Sequence, residues 1–122
     1  MVELAGLRVL LVEDEGGVAL LLEAMLEDLG CEIVGSVARM PRAFEAARTL
    51  SFDFAVLDVN VAGETSFDLA RELLARGAPF VFSTGYGLAG LPDDLADRPV
   101  LSKPFTQVDL STKLKRLALA GR

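Results

Sequence analysis

Glu13 and Asp14 directly follow the apolar run LRVLLV, Asp58 follows FAVL, Ser83 and Thr84 follow PFVF, and Ser102 and Lys103 sit at the end of the short run that starts at Val100. Apolar runs of this length read as buried strands, and in an open parallel sheet ligands bind at the carboxyl ends of the strands. The placement therefore predicts that three carboxylates, a hydroxyl and an ammonium converge on one edge. Carboxylates a few ångströms apart repel by about 1–4 kcal/mol per pair at a partly screened dielectric, so such a cluster is favourable only with a cation among them. Mg2+ is the natural candidate, since it takes hard oxygen ligands from one or two carboxylates, phosphate groups and water. Glu13, Asp14 and Asp58 suit it, with the backbone carbonyl of Asn60 as a further ligand. A carboxylate can also act as a nucleophile toward phosphorus, forming an acyl phosphate, where charge on the transferring group is neutralised from several sides. Mg2+ and Lys103 would neutralise it, and Thr84 would donate a hydrogen bond to the phosphoryl oxygens.

The elements that must position these residues alternate strand with helix, which predicts an α/β fold with a doubly wound, five-stranded parallel sheet and five helices in three α/β/α layers. The first strand is expected over Leu7–Val12, and the helix after it carries a stripe of Val18, Leu21, Leu22, Met25, Leu26 and Leu29 that ends at Gly30. Glu32–Val37 is the second strand, followed by a helix with Pro41 in its first turn, apolar Phe44, Ala47 and Leu50, and a polar face of Arg42, Glu45 and Arg48. Phe54–Leu57 leads to Asp58, and a helix over Phe67–Arg76 closes at Gly77. Pro79–Phe82 is the fourth strand. The helix within Leu88–Leu95 is the weakest, because Gly87, Gly90 and Pro92 interrupt its period, and this segment is expected to be the most mobile. Val100–Ser102 is the last strand, and the final helix, Thr106–Leu119, opens on a Thr106 cap and ends in basic residues that complement its dipole.

Composition narrows the chemistry. At 122 residues the chain is expected to be one domain, 1–122, and with 52% apolar residues it is expected to fold. No apolar run approaches the ~20 residues needed to cross a bilayer, and the amino end lacks the basic leader of a secretion signal, so no membrane association and a cytoplasmic location are expected. The chain has no histidine and one cysteine, Cys31, which excludes a Cys/His zinc site, a histidine base and an internal disulfide. Nothing basic lies near Cys31 in sequence, so it reads as a small buried hydrophobe. A net charge of −6 argues against direct nucleic-acid binding and favours a protein or small-ion partner. The basic residues Lys113, Lys115, Arg116 and Arg122 read as a solvated face.

Four blocks together resemble the response-regulator receiver family along essentially the whole chain: LLVEDE, VLDVNVAGE, FSTGYG and LSKPF. The resemblance implies a flavodoxin-like sheet of strand order 2-1-3-4-5, with Glu13 and Asp14 in the magnesium pocket and Asp58 as phosphoacceptor. It further implies Asn60 as carbonyl ligand, Thr84 as switch hydroxyl, and Lys103 as the conserved lysine before a commonly cis Pro104. The implied function is a switch in two-component phosphorelay signalling. It takes a phosphoryl group from a sensor histidine kinase or histidine phosphotransfer protein and turns over no metabolite. A downstream protein would read the face of the fourth helix, fifth strand and fifth helix, and a homodimer is compatible with it. The string Phe-x-Thr-Gly-Tyr resembles a subgroup of single-domain regulators with a Phe-Ala-Thr-Gly motif. One position departs from the family: the aromatic residue usual three places before the lysine is Val100 here, which leaves Tyr86 or Phe82 to take that part.

Other readings stay open at this point. Glu13, Asp14 and Glu15 also suit a solvated helix start, Asp58 and Thr84 a turn, and Lys103 the surface. A phosphatase resembling the haloacid dehalogenase family would want an aspartate where Asn60 stands, and a cap domain. A flavodoxin-like flavin carrier would want hydroxyls and amides where VEDEGG stands. A receiver locked in one state would serve as a constitutive adaptor, and a receiver excised from a hybrid kinase would carry the same residues.

Overall fold

The structure, a computed structural model, describes residues 4–85 and 90–120. Its strands are Arg8–Val12 (β1), Glu32–Val37 (β2), Phe54–Asp58 (β3), Asn60–Val61 (β4), Glu64–Thr65 (β5), Phe80–Thr84 (β6) and Val100–Ser102 (β7). The helices are Gly16–Asp28 (α1), Met40–Thr49 (α2), Phe67–Ala75 (α3) and Gln107–Ala120 (α4). The five long strands form one parallel sheet in the order β2-β1-β3-β6-β7. Counted along the chain without the short β4–β5 pair, that is the expected 2-1-3-4-5.

Alternation along the strands sorts the core into two layers. Leu10, Val12, Ala55, Leu57, Phe80 and Phe82 pack against Met40, Ala43 and Ala47 of α2 and Leu69, Ala70 and Leu73 of α3. Val9, Leu11, Phe54, Val56, Val81 and Leu101 face Ala19, Leu22 and Leu26 of α1 and Leu110 and Leu114 of α4. Strands buried on both faces are the reason their sequences read as continuous apolar runs.

Three expectations need correction. The described part of the segment before β7 holds a 3-10 turn, Asp93–Leu95, in place of a fifth helix. Pro92 sits just ahead of that turn in extended backbone, and its ring cannot continue a helix from Gly90; residues 86–89 lie outside the described residues. Leu21 is 55% exposed and Leu20 69% exposed, so the buried stripe of α1 is narrower than expected and centres on Ala19, Leu22 and Leu26. Finally, α4 runs on to Ala120 with no basic residue in its last turn, so Lys113, Lys115 and Arg116 lie too far back to meet its dipole there.

Its other end agrees with the sequence. The Thr106 hydroxyl accepts the Asp109 N–H at 3.1 Å and the Asp109 carboxylate accepts the Thr106 N–H at 3.0 Å, a reciprocal cap. Cys31 is buried, its thiol donating to the Leu4 carbonyl at 3.5 Å, and burial pushes its pKa up, as befits an inert thiol.

Gly30 closes α1 at φ +91°, and a Cβ there would lie 2.9 Å from the Ala5 Cα. Left-handed strain and that clash with backbone add, so Gly30→Ala is expected to lower stability by about 2–4 kcal/mol. Chemical denaturation of the two proteins measures it; a loss below about 1 kcal/mol would mean that the turn relaxes freely.

Candidate functional site

Each chemical residue enters at a strand end. Past β1 the chain turns with the Glu13 N–H donating to the Val37 carbonyl at 3.0 Å, which leaves the Glu13 side chain 1% exposed and Asp14 facing solvent. Asp58 is the last residue of β3 and its side chain is 11% exposed. Thr84 ends β6 and is buried. Lys103 follows β7, held by its N–H to the Thr84 carbonyl at 2.9 Å, and a cis peptide bond joins it to Pro104.

The Lys103 ammonium lies 3.2 Å from a Glu13 oxygen and 3.4 Å from an Asp58 oxygen. Glu13, Asp14 and Asp58 each bring a carboxylate oxygen within 4.8 Å of the other two. Asp14, Asp58 and Lys103 border a cleft of about 320 Å³ whose wall also includes Asn60, Thr84 and Gly85, and Glu13 is buried beside Lys103. The expected convergence is therefore present for Glu13, Asp14, Asp58, Asn60, Thr84 and Lys103. Ser102 points to solvent, and Ser83 is fully buried beneath the cleft.

The electrostatics follow from this crowding. Burial, a hydrogen bond with Asp58 and repulsion from its charge push the Glu13 carboxyl up to about 7, against the pull of Lys103. Burial works against the charge on Lys103, but Asp58 and Glu13 outweigh it and hold its pKa above the ordinary lysine value. One ammonium thus faces several carboxylates, which leaves the cluster short of positive charge. Its donor set of oxygens alone, part buried and part open to water, fits Mg2+; Glu13, Asp14 and Asp58 are the groups able to hold it.

Two features of the loop after Asp58 carried no signal in the sequence. Asn60–Val61 pairs antiparallel with Glu64–Thr65, and the turn between them places both Ala62 and Gly63 at positive φ, 53° and 87°. The Ala62 N–H donates to the Asp14 carboxylate at 2.9 Å and the Gly63 N–H to the Asn60 side chain at 3.1 Å, so the hairpin is tied to the acidic cluster. The other feature is Ser66, whose buried hydroxyl donates to the Asp58 carbonyl at 2.6 Å. A serine before an apolar helix reads as a cap, yet this one caps nothing and instead fixes the backbone of the candidate nucleophile.

Val100 is buried and pairs in register with Phe82, on the core side of β7. Phe82 is fully buried, with Phe80 and Phe67 edge-on at 5.4 and 6.2 Å, so it is part of the core and not a swinging ring in this conformation. Tyr86 lies outside the described residues.

Residues 9–115 match the response regulator receiver domain model. The transcriptional regulatory protein PdtaR of Mycobacterium tuberculosis is 33% identical over 107 residues, covering 84% of this chain and 52% of that protein. The chain thus spans about half the length of the curated relatives it matches. The solution structure of SdrG from Sphingomonas melonis Fr1 superposes with a TM-score of 0.79 at 39% identity, covering 99% of this chain and 98% of that one. The receiver domain of the sensor histidine kinase PA1611 from Pseudomonas aeruginosa PAO1, solved with a magnesium ion in its active-site cleft, gives a TM-score of 0.81 at 29% identity over 93% and 98% of the two chains. With its family model matched over most of its length and its acidic cluster at the carboxyl edge of a 2-1-3-4-5 sheet, this chain belongs to the response-regulator receiver domain family.

Proposed function

We propose that residues 1–122 form one phosphorylation-switched binding domain in which Asp58 is the phosphoacceptor. The observation that carries this reading is the Lys103 ammonium lying between Glu13 and Asp58, at the mouth of a cleft walled by Asp14, Asn60 and Thr84. An Asp58 oxygen attacks phosphorus, the bond from phosphorus to the donor's leaving group breaks with its electron pair going to that group, and an acyl phosphate remains on Asp58. Mg2+, held by Glu13, Asp14, Asp58 and the Asn60 carbonyl, would supply charge neutralisation on the phosphoryl oxygens. Lys103 supplies the second positive charge, and Thr84 a hydroxyl donor.

The donor would be a sensor histidine kinase or a histidine phosphotransfer protein. The new group brings about 1.5–2 negative charges into the cleft, drawing on Thr84 and Lys103. Thr84 ends β6 and Lys103 follows β7, so the bias passes to the connection before β7, to β7 itself and to α4, the face offered to a downstream protein or to a second copy. A 1:99 to 99:1 swing needs a bias of about 5.5 kcal/mol. The pairing of Val100 with Phe82, in place of an aromatic at that position, favours a second reading, a receiver held in one state as an adaptor.

Incubation with acetyl phosphate, with and without Mg2+, separates the two. The expected result is a Mg2+-dependent gain of one phosphoryl mass on the intact protein that vanishes in Asp58→Ala. No gain under any condition would sink the phosphoacceptor reading and leave the adaptor.

A further inference from the structure

Ser83 is the one buried side chain among the described residues whose hydroxyl meets no hydrogen-bond partner. It is completely shielded from solvent, where an unpaired hydroxyl is unfavourable and alanine would serve better. Its position is specific. In the β3–β6 ladder Ser83 is the register partner of Asp58, and in the β6–β7 ladder it is the partner of Leu101. Val81 and Leu101 both face the layer of α1 and α4, so alternation puts Ser83 on that same face. Lys103 lies two residues beyond Leu101 and continues the face. Ser83 therefore sits on the floor between the carboxylate of one neighbouring strand and the lysine that follows the other.

Lys103 has a complementary deficit. Its ammonium carries three donors, and its two side-chain acceptors, Glu13 at 3.2 Å and Asp58 at 3.4 Å, are both long contacts. When a cation takes up Glu13, Lys103 loses one of them. An acceptor below the ammonium would then hold it over Asp58.

We propose that Ser83 is a positioning residue for Lys103, its hydroxyl accepting an ammonium N–H and keeping the charge aimed at the group transferred to Asp58. The proposal rests on the phosphoacceptor reading for its role in transfer, but the pairing itself does not.

Two variants test it in the full chain. Ser83→Ala removes the oxygen, and Ser83→Cys keeps the volume while leaving only a weak acceptor. Nitrogen-15 NMR of the lysine ammonium groups, without metal and with Mg2+ alone, reports the pairing through the exchange-protected Lys103 signal. With Mg2+ that signal is expected in the wild type and expected to be lost or clearly shifted in both variants. The phosphorylation rate with acetyl phosphate is expected to fall about three- to tenfold in both, the scale of one modest hydrogen bond, with each variant melting no lower than the wild type. A Lys103 signal unchanged in both variants would overturn the proposal, as would an unchanged rate. If the wild type itself takes no phosphoryl group, the phosphoacceptor reading fails and the ammonium signal alone decides the pairing.

Discussion

Lys103→Met is expected to slow phosphoryl uptake from acetyl phosphate by about 10²–10³-fold, the scale on which removing one transition-state charge donor acts. Methionine keeps the length and apolar character of the stem, so the change isolates the charge. In the resting domain the same ammonium lies 3.2 Å from Glu13 and 3.4 Å from Asp58, and without it the carboxylates face one another uncompensated. Lys103 is about a quarter exposed, which tempers the penalty for breaking a buried pair, and a stability loss of roughly 1–3 kcal/mol is expected in the absence of metal. Mg2+ affinity should move the other way. Lys103 competes with a cation for the same oxygens, so the variant is expected to bind Mg2+ more tightly than the wild type and to regain stability as it does so. Intact-mass time courses, thermal melts and calorimetric Mg2+ titration read the three effects. A variant that is phosphorylated at the wild-type rate would remove Lys103 from the transfer chemistry, and weaker Mg2+ binding would show that the ammonium organises the cluster more than it competes with the ion.

The second large effect is on pH. Burial first, and then the hydrogen bond with Asp58 and its charge, raise the Glu13 carboxyl from an ordinary 4.5 to about 7 in the folded domain. Between those values the folded state holds a proton that the unfolded chain has released. Stability of the metal-free protein is therefore expected to fall as pH rises through that interval and to level off above it, by about 3 kcal/mol. The surface carboxylates Glu72, Asp94 and Asp97 act in the opposite sense, because their arginine partners lower their pKa values. Their window lies at and below the ordinary carboxylate range, and their exposure keeps them weak. Denaturation curves from pH 4.5 to 8 in a metal chelator, for wild type and Glu13→Gln, isolate the effect, since glutamine cannot titrate. Excess Mg2+ should flatten the wild-type curve, because a ligand carboxylate must be deprotonated and binding strengthens across the same interval. Parallel curves for the two proteins in chelator would show that Glu13 titrates in its ordinary range.

The amino-acid sequence by itself determined the sheet and the family. Runs such as VLLV and FAVL are apolar throughout because both faces of a parallel strand are buried, and the acidic, hydroxyl and basic residues after them mark the strand ends where a sheet of this type binds ligands. These are local properties of pattern and position, and they were enough to bring Glu13, Asp14, Asp58, Thr84 and Lys103 to one edge. The α1 stripe was only half legible, because one face of a helix can be chosen from an all-apolar stretch such as ALLL only by what packs on it. Contacts between residues distant in the chain were not legible. Glu13 is crowded by Asp58 and by Lys103, the latter 90 residues away, and the tie from Ala62 to Asp14 spans 48 residues. Ser66 and Ser83 are both polar residues beside apolar ones, and nothing in their immediate neighbours distinguishes a cap or a turn from a hydroxyl bonded to the Asp58 carbonyl or one buried in the strand beside Asp58. Tertiary structure decided those roles, because they depend on which strands become neighbours and which faces are buried, and period and propensity along the chain carry no information about either.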